Sequence, residues 1–175
     1  MRFIYCLLAC FCCISIRLAG QNTAPGLPQR TATVRAVQEL NLGDLTVVRG
    51  SSGGTVTVDY DGTRTATGDV VLLNMGTTAQ QAIFEFKLCP GRTVILTYPT
   101  EVTMTGVSGG TLQLHIGPIR IGTVVIDGGS GLFTSNKGCD DIHLIYAGGA
   151  IEVGSVATNP PGSYSGSFQI TFHQQ

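Results

Sequence analysis

The chain has 175 residues, 24 of them glycine, with no tryptophan and only 12% charged residues; that length holds one domain with a full core and no comfortable second one. A formal net charge of −1 excludes recognition of nucleic acid or anionic membrane by bulk electrostatics. Abundant Thr, Val, Ile and Ser, with no Ala/Leu/Glu/Lys-rich run, excludes a helical protein and indicates an all-β one with many turns.

Residues 1–20 differ from the rest. Arg2 supplies a basic start, and residues 3–16 are almost unbroken apolar, shorter than the roughly 18 residues of a spanning helix. They are predicted to be a secretory signal peptide, cut after Leu18-Ala19-Gly20 to leave Gln21 first. Leu7-Leu8-Ala9-Cys10 also reads as a lipobox, but leaves an apolar region of only about seven residues, at the bottom of the workable range. Signal cleavage takes away Arg2 and Arg17 and no acid, leaving 8 basic against 11 acidic residues, a net of −3, and no membrane segment. It also takes four of the six cysteines, so Cys89 and Cys139 remain. A pair in an exported chain predicts one disulfide, which by loop entropy contributes roughly 4 kcal/mol. No neighbouring His or Cys makes a zinc set, and there is no CxxC.

Residues 21–31 carry Pro25, Gly26 and Pro28 without periodicity and read as a flexible leader. Residues 32–175 read as a single domain. A first strand begins at Thr33 and ends near Gly43, with Val34, Ala36 or Val37, Leu40, Leu42 and Leu45 as core candidates and a phase slip at Ala36-Val37 that predicts a bulge. Val56, Val58 and Tyr60 alternate toward an Asp61-Gly62 turn, and 63–67 return on the far side. Further strands are predicted over 70–73, 82–88, 93–98, 102–105, 111–116 and 119–126, the last interrupted by Gly122. Residues 127–138 read as turn. Residues 142–146 and 151–156 read as a pair around Gly148-Gly149. In the last strand Tyr164, Gly166, Phe168, Ile170 and Phe172 share the inward face, opposite Ser165, Ser167, Gln169, Thr171 and His173. Regular short strands without helical period predict an antiparallel β-sandwich with Greek-key connections.

No reaction follows from these residues. His115, His143 and His173 fall on outward positions and lack ligand spacing, so solvated side chains are expected. Asp59-Tyr60-Asp61-Gly62 opens like a calcium loop, but Thr63 and the missing Glu break the pattern; Asp127, Asp140 and Asp141 read as solvated loop acids. There is no GxSxG, and Glu85, Glu101 and Glu152 are isolated rather than paired across a cleft. A sugar-stacking platform would have to use Tyr60, Tyr98, Tyr146 or Tyr164, of which Tyr60 and Tyr164 are expected to face inward. No catalytic, metal or cofactor-binding residue is assigned.

Three segments together carry a resemblance: Leu40-Asn41-Leu42-Gly43, GGTVTVDYDGTRTATGDVVLL from Gly53, and GGAIEVGSVATNPPGSYSGSFQITF from Gly148. They resemble the bacterial domain-of-unknown-function 4402 family over nearly all of residues 21–175. The resemblance implies an exported Ig-like β-sandwich of a Gram-negative-type envelope, similar in style to spore-coat-U-like and chaperone–usher pilus subunits. The expected function is a non-enzymatic cell-surface or fimbria-like structural subunit, located in the periplasm, on the outer surface or outside the cell. Its expected partners are further copies of itself, other envelope or fimbrial subunits and a secretion chaperone. Donor-strand assembly would use residues 21–37 as donor and a groove along the last strand. The alternative is a monomeric secreted module that binds glycans or another envelope component.

Overall fold

A computed structural model describes residues 33–175; the predicted signal peptide and the leader over 21–31 lie outside the described residues. The described chain is all-β, with fourteen strands and no helix: β1 Thr33–Gln38, β2 Leu45–Val47, β3 Gly54–Val58, β4 Arg64–Gly68, β5 Val70–Leu72, β6 Ala82–Lys87, β7 Thr93–Thr97, β8 Glu101–Gly106, β9 Thr111–Ile121, β10 Val124–Ile126, β11 Ser130–Thr134, β12 Ile142–Val153, β13 Tyr164–Ser165 and β14 Thr171–Gln174. All pairings are antiparallel. The main sheet runs β1-β6-β12-β9-β8-β13, with β3 and then β4 added beside β12, and β10 beside β9. A second sheet, β11-β7-β14, and a small β2-β5 ribbon complete the set. Inward rows of the two larger sheets interdigitate as a β-sandwich: Phe86 of β6 meets Phe133 of β11 and Phe172 of β14, at centroid distances of 5.5 and 5.2 Å.

β12 organises this arrangement, and the expected pair around Gly148-Gly149 is corrected to this one strand. Along one flank it pairs first with β6 (Ile142↔Lys87 to Ala147↔Ala82) and then with β3 (Gly149↔Val58 to Val153↔Gly54). Gly148 sits where the partners change, and a Cβ there would collide with the Val58 carbonyl. His143, Ile145, Ala147, Ile151 and Val153 all point into the core.

On the other flank β9 is also continuous, where two strands were expected. Ala147 pairs with Ile119 but Gly149 pairs with Ile116, so β9 carries one extra residue at Gly117-Pro118. That bulge absorbs the missing N–H of Pro118 and reverses the phase of the strand. Leu112, Leu114 and Ile116 point inward before it, Ile119 and Ile121 after it. Gly122, with φ of 59°, then turns the chain into β10.

Three other expectations are refined. The first strand stops at Gln38 after the predicted register slip between Ala36 and Gln38; Val34 is exposed, while Leu42 is buried and Leu45 opens β2. The turn-rich stretch over 127–138 contains β11, whose Phe133 is in the core. The last strand is broken, as described next.

Candidate functional site

The side of the sandwich closed by residues 164–174 is where the chain deals with its own open edges. β13 pairs Tyr164 with Gly106 and Ser165 with Thr105 of β8 in the main sheet. β14 pairs Thr171 with Thr97 through Gln174 with Val94 of β7 in the second sheet. Residues 166–170 cross from one sheet to the other outside any ladder. The predicted inward row survives the crossing: Tyr164, Phe168, Ile170 and Phe172 all pack against the core, each half-buried. Gly166, exposed, passes so close to β8 that a Cβ would lie 3.1 Å from the Thr103 carbonyl. Phe168 meets Phe84 edge-on at 6.0 Å, and the Tyr164 hydroxyl donates to the Pro160 carbonyl at 2.7 Å.

Bond alternation shows which backbone groups face outward. The Ile116 N–H donates to the Thr100 carbonyl, and the Gly106 N–H to the Gly110 carbonyl. Every second residue of β8 therefore bonds toward β9, and Glu101, Thr103 and Thr105 direct their N–H and C=O groups to the other side. β13 pairs with Thr105; among the described residues Glu101 and Thr103 have no ladder partner there. In β14, the Gln175 N–H donates to the Thr93 carbonyl, so Phe172 and Gln174 face their backbone groups away from β7.

The predicted disulfide joins Cys89, after β6, to Cys139, before β12. Beside it lies a correction: His143, expected on the surface, is 4% exposed. Its ring stacks on Phe86 at 5.0 Å and takes Phe133 edge-on at 5.0 Å, while Nε2 lies 2.8 Å from Ser135 Oγ. Ser135, 2% exposed, donates its hydroxyl to the Leu88 carbonyl at 2.9 Å. This buried Ser–His pair cross-links β12 to the chain just after β6 and β11. Burial is the main influence lowering the His143 pKa, helped by Lys137 and opposed by Asp141 and a hydrogen bond to Leu88. The neutral ring fits the aromatic box, and a folded pKa below the ordinary value means that the unfolded chain binds the proton better. Stability from this group is therefore complete above about pH 6.5 and is lost as pH falls through the lowered folded value. Urea midpoints measured at pH 7.5 and pH 5 are expected to fall for the native protein, and to fall less for His143→Gln; equal slopes would show that His143 is not the group responsible.

The remaining candidates are placed separately. His115 is half-buried, with Nδ1 3.5 Å from Glu101 across the β8–β9 pair, and His173 is exposed on β14. The Asp59–Thr63 stretch is an Asx turn: Asp61 accepts the Thr63 N–H at 2.8 Å, which holds its carboxyl below the usual range. Asp127 and Asp141 accept the N–H groups of Gly128 and Gly138. Among the described residues no three His, Cys, Asp or Glu are grouped to hold a metal ion.

The tyrosines are occupied. Tyr60 does not enter the core: its ring and that of Tyr146 flank Arg120, whose Cζ lies 5.3 and 4.9 Å from their centroids. Buried Tyr98 donates to the Ile126 carbonyl. A shallow cleft of about 510 Å³ lies between Glu152, Gln113 and Thr55 on the outer sheet face and the loop bearing Asn159. Asn159 fixes that loop by accepting the Gly154 N–H and donating to the Thr111 carbonyl.

Sequence reasoning missed Ser135, Arg120 and the buried role of His143; the continuous inward phase of β12 is the signal that places His143. No curated protein and no solved structure matches the chain. Residues 32–173 match the family model described as Domain of unknown function (DUF4402), and the chain belongs to that family.

Proposed function

We propose that the protein is an exported, non-enzymatic structural subunit of a Gram-negative-type envelope, surface-displayed or fimbria-like, which joins its neighbours by pairing strand edges. One observation carries this reading: among the described residues, β8 has no ladder partner where residues 166–170 leave the main sheet, and β14 ends the second sheet, so the outward backbone groups of Glu101, Phe172 and Gln174 have no strand beside them and Thr103 has only the crossing at Gly166. Such an edge is a template for a strand from another chain, and proteins that do not use it usually block it. Among the described residues β1, paired with β6 on one flank, is an edge strand as well, and in this proposal it supplies the donor together with the residues before it. The glycan-binding alternative is weaker, because the cleft beside Glu152 has no aromatic in its lining and both central tyrosines hold Arg120.

Proline substitution tests the edges, since proline removes one N–H and is tolerated where that group faces outward. Thr103→Pro and Gln174→Pro are each expected to leave the fold intact by circular dichroism. At least one is expected to abolish the higher assemblies of the purified protein in electron micrographs and sedimentation. Native-like assembly by both variants would rule out pairing at these edges.

A further inference from the structure

The outer face of the main sheet, away from the second sheet, carries a feature that strand pairing leaves unused. On β12, Leu144 and Tyr146 point outward, next to each other on that face. Glu85 of β6 pairs directly beside Leu144, and Arg120 of β9 directly beside Tyr146, on the opposite flank. The two charges are both half-buried. Among the described residues, neither the Glu85 carboxylate nor the Arg120 guanidinium has a hydrogen bond or an ion pair, and Arg120 Nε is buried without a hydrogen-bond partner; the charges next to them on this face are Arg35 of β1, directly across from Glu85, and Asp61, which Arg120 influences at longer range. The Arg120 guanidinium carbon lies over both the Tyr60 and the Tyr146 rings, contacts that restrict its freedom before any partner arrives. Apolar side chains surround this pair: Ile142 is 42% exposed, Leu144 36% and Val125 51%.

We infer that this face is a two-fold interface between copies of the chain. The register supplies the argument. Glu85 and Arg120 lie diagonally across β12, so an axis lying in the interface and crossing β12 between Leu144 and Tyr146 exchanges them. Glu85 of one copy then meets Arg120 of the other twice over, and the apolar side chains around the axis meet one another. A patch with charges of both signs, placed symmetrically about an apolar centre, is complementary to itself. Arg and Tyr, which stand on this face, are residue types enriched in binding hot spots. A pair closed in this way gives the Arg120 guanidinium a carboxylate in addition to its two aromatic contacts, and gives the Glu85 carboxylate a hydrogen-bonding cation. This contact uses a sheet face and does not rest on strand addition at the edges.

The test is sedimentation velocity on the purified, disulfide-intact protein over a range of concentrations. A concentration-dependent monomer–dimer equilibrium is expected. Leu144→Glu and Arg120→Glu are each expected to raise the dimer dissociation constant at least about tenfold. The double variant Glu85→Arg/Arg120→Glu is expected to recover most of that loss. Leu144 is exposed, so Leu144→Glu still decides the matter if the Arg120 variant fails to fold. A native protein that stays monomeric at every concentration overturns the inference, as does self-association that Leu144→Glu leaves unchanged. Proline variants at Thr103 and Gln174 are expected to leave this dimer intact, which separates failure of the face from failure of the edges.

Discussion

Phe86→Ala is expected to remove about 3–5 kcal/mol of folding stability, the range for a fully buried phenylalanine. The position warrants the upper part of that range. The ring is almost completely buried and touches aromatic partners from three other strands: His143 of β12, Phe133 of β11 and Phe172 of β14. Each aromatic pair adds about 0.5–1.5 kcal/mol to the burial itself. The neighbours cannot close the hole easily, because His143 is held by Ser135 and Phe133 and Phe172 stand on paired strands. Since β14 is one of those strands, the loss also loosens the closing segment. Guanidinium unfolding monitored by far-UV dichroism measures the change. Phe168→Ala, at a half-exposed ring with one aromatic partner, is expected to cost less than half as much. Equal losses at the two sites would show that the aromatic cluster is not the centre of the sandwich.

What the sequence reveals depends on whether a residue's neighbours lie along the chain or across it. Val56 and Val58 beside an Asp-Gly turn define β3 and its hairpin locally, and both are fully buried. The slip at Ala36-Val37 is likewise legible, because a bulge breaks a period that can be counted. His143 is different. In isolation, Ile142, Leu144 and Tyr146 make as good an inward row as His143, Ile145 and Ala147; only continuity through Gly148 to Ile151 and Val153 selects the second. Pro118 argues locally against a strand, and it is accommodated because a bulge opposite Gly148 needs no N–H there. The last segment shows the same limit. Its alternation correctly assigns Tyr164, Phe168, Ile170 and Phe172 to the inward face, but inward facing does not determine which sheet supplies the hydrogen bonds. Gly166 lies where the chain leaves one ladder before reaching the other. The Glu85–Arg120 diagonal depends on the registers of three strands and joins two residues 35 positions apart in the chain, and no local pattern contains it.

Cys89→Ser/Cys139→Ser is expected to lower stability by about 2–5 kcal/mol while leaving the folded arrangement in place. The reason lies in what the disulfide spans. Its ends are 50 residues apart, and the intervening chain contains β7 to β11. In the folded state the same ends are already held together, because Lys87 pairs with Ile142 at the adjoining ends of β6 and β12. The cross-link therefore adds little geometry to the fold and acts mainly by restricting the unfolded chain. That assignment has a signature beyond the midpoint. Without the bond the unfolded ensemble expands and exposes more surface, so the denaturant slope m is expected to rise as the midpoint falls. Phe86→Ala acts within the folded core and is expected to lower the midpoint at constant m. If the cysteine variant instead lost stability with unchanged m and altered near-UV dichroism, the bond would be shaping the aromatic box around His143. Its effect would then belong to the folded state.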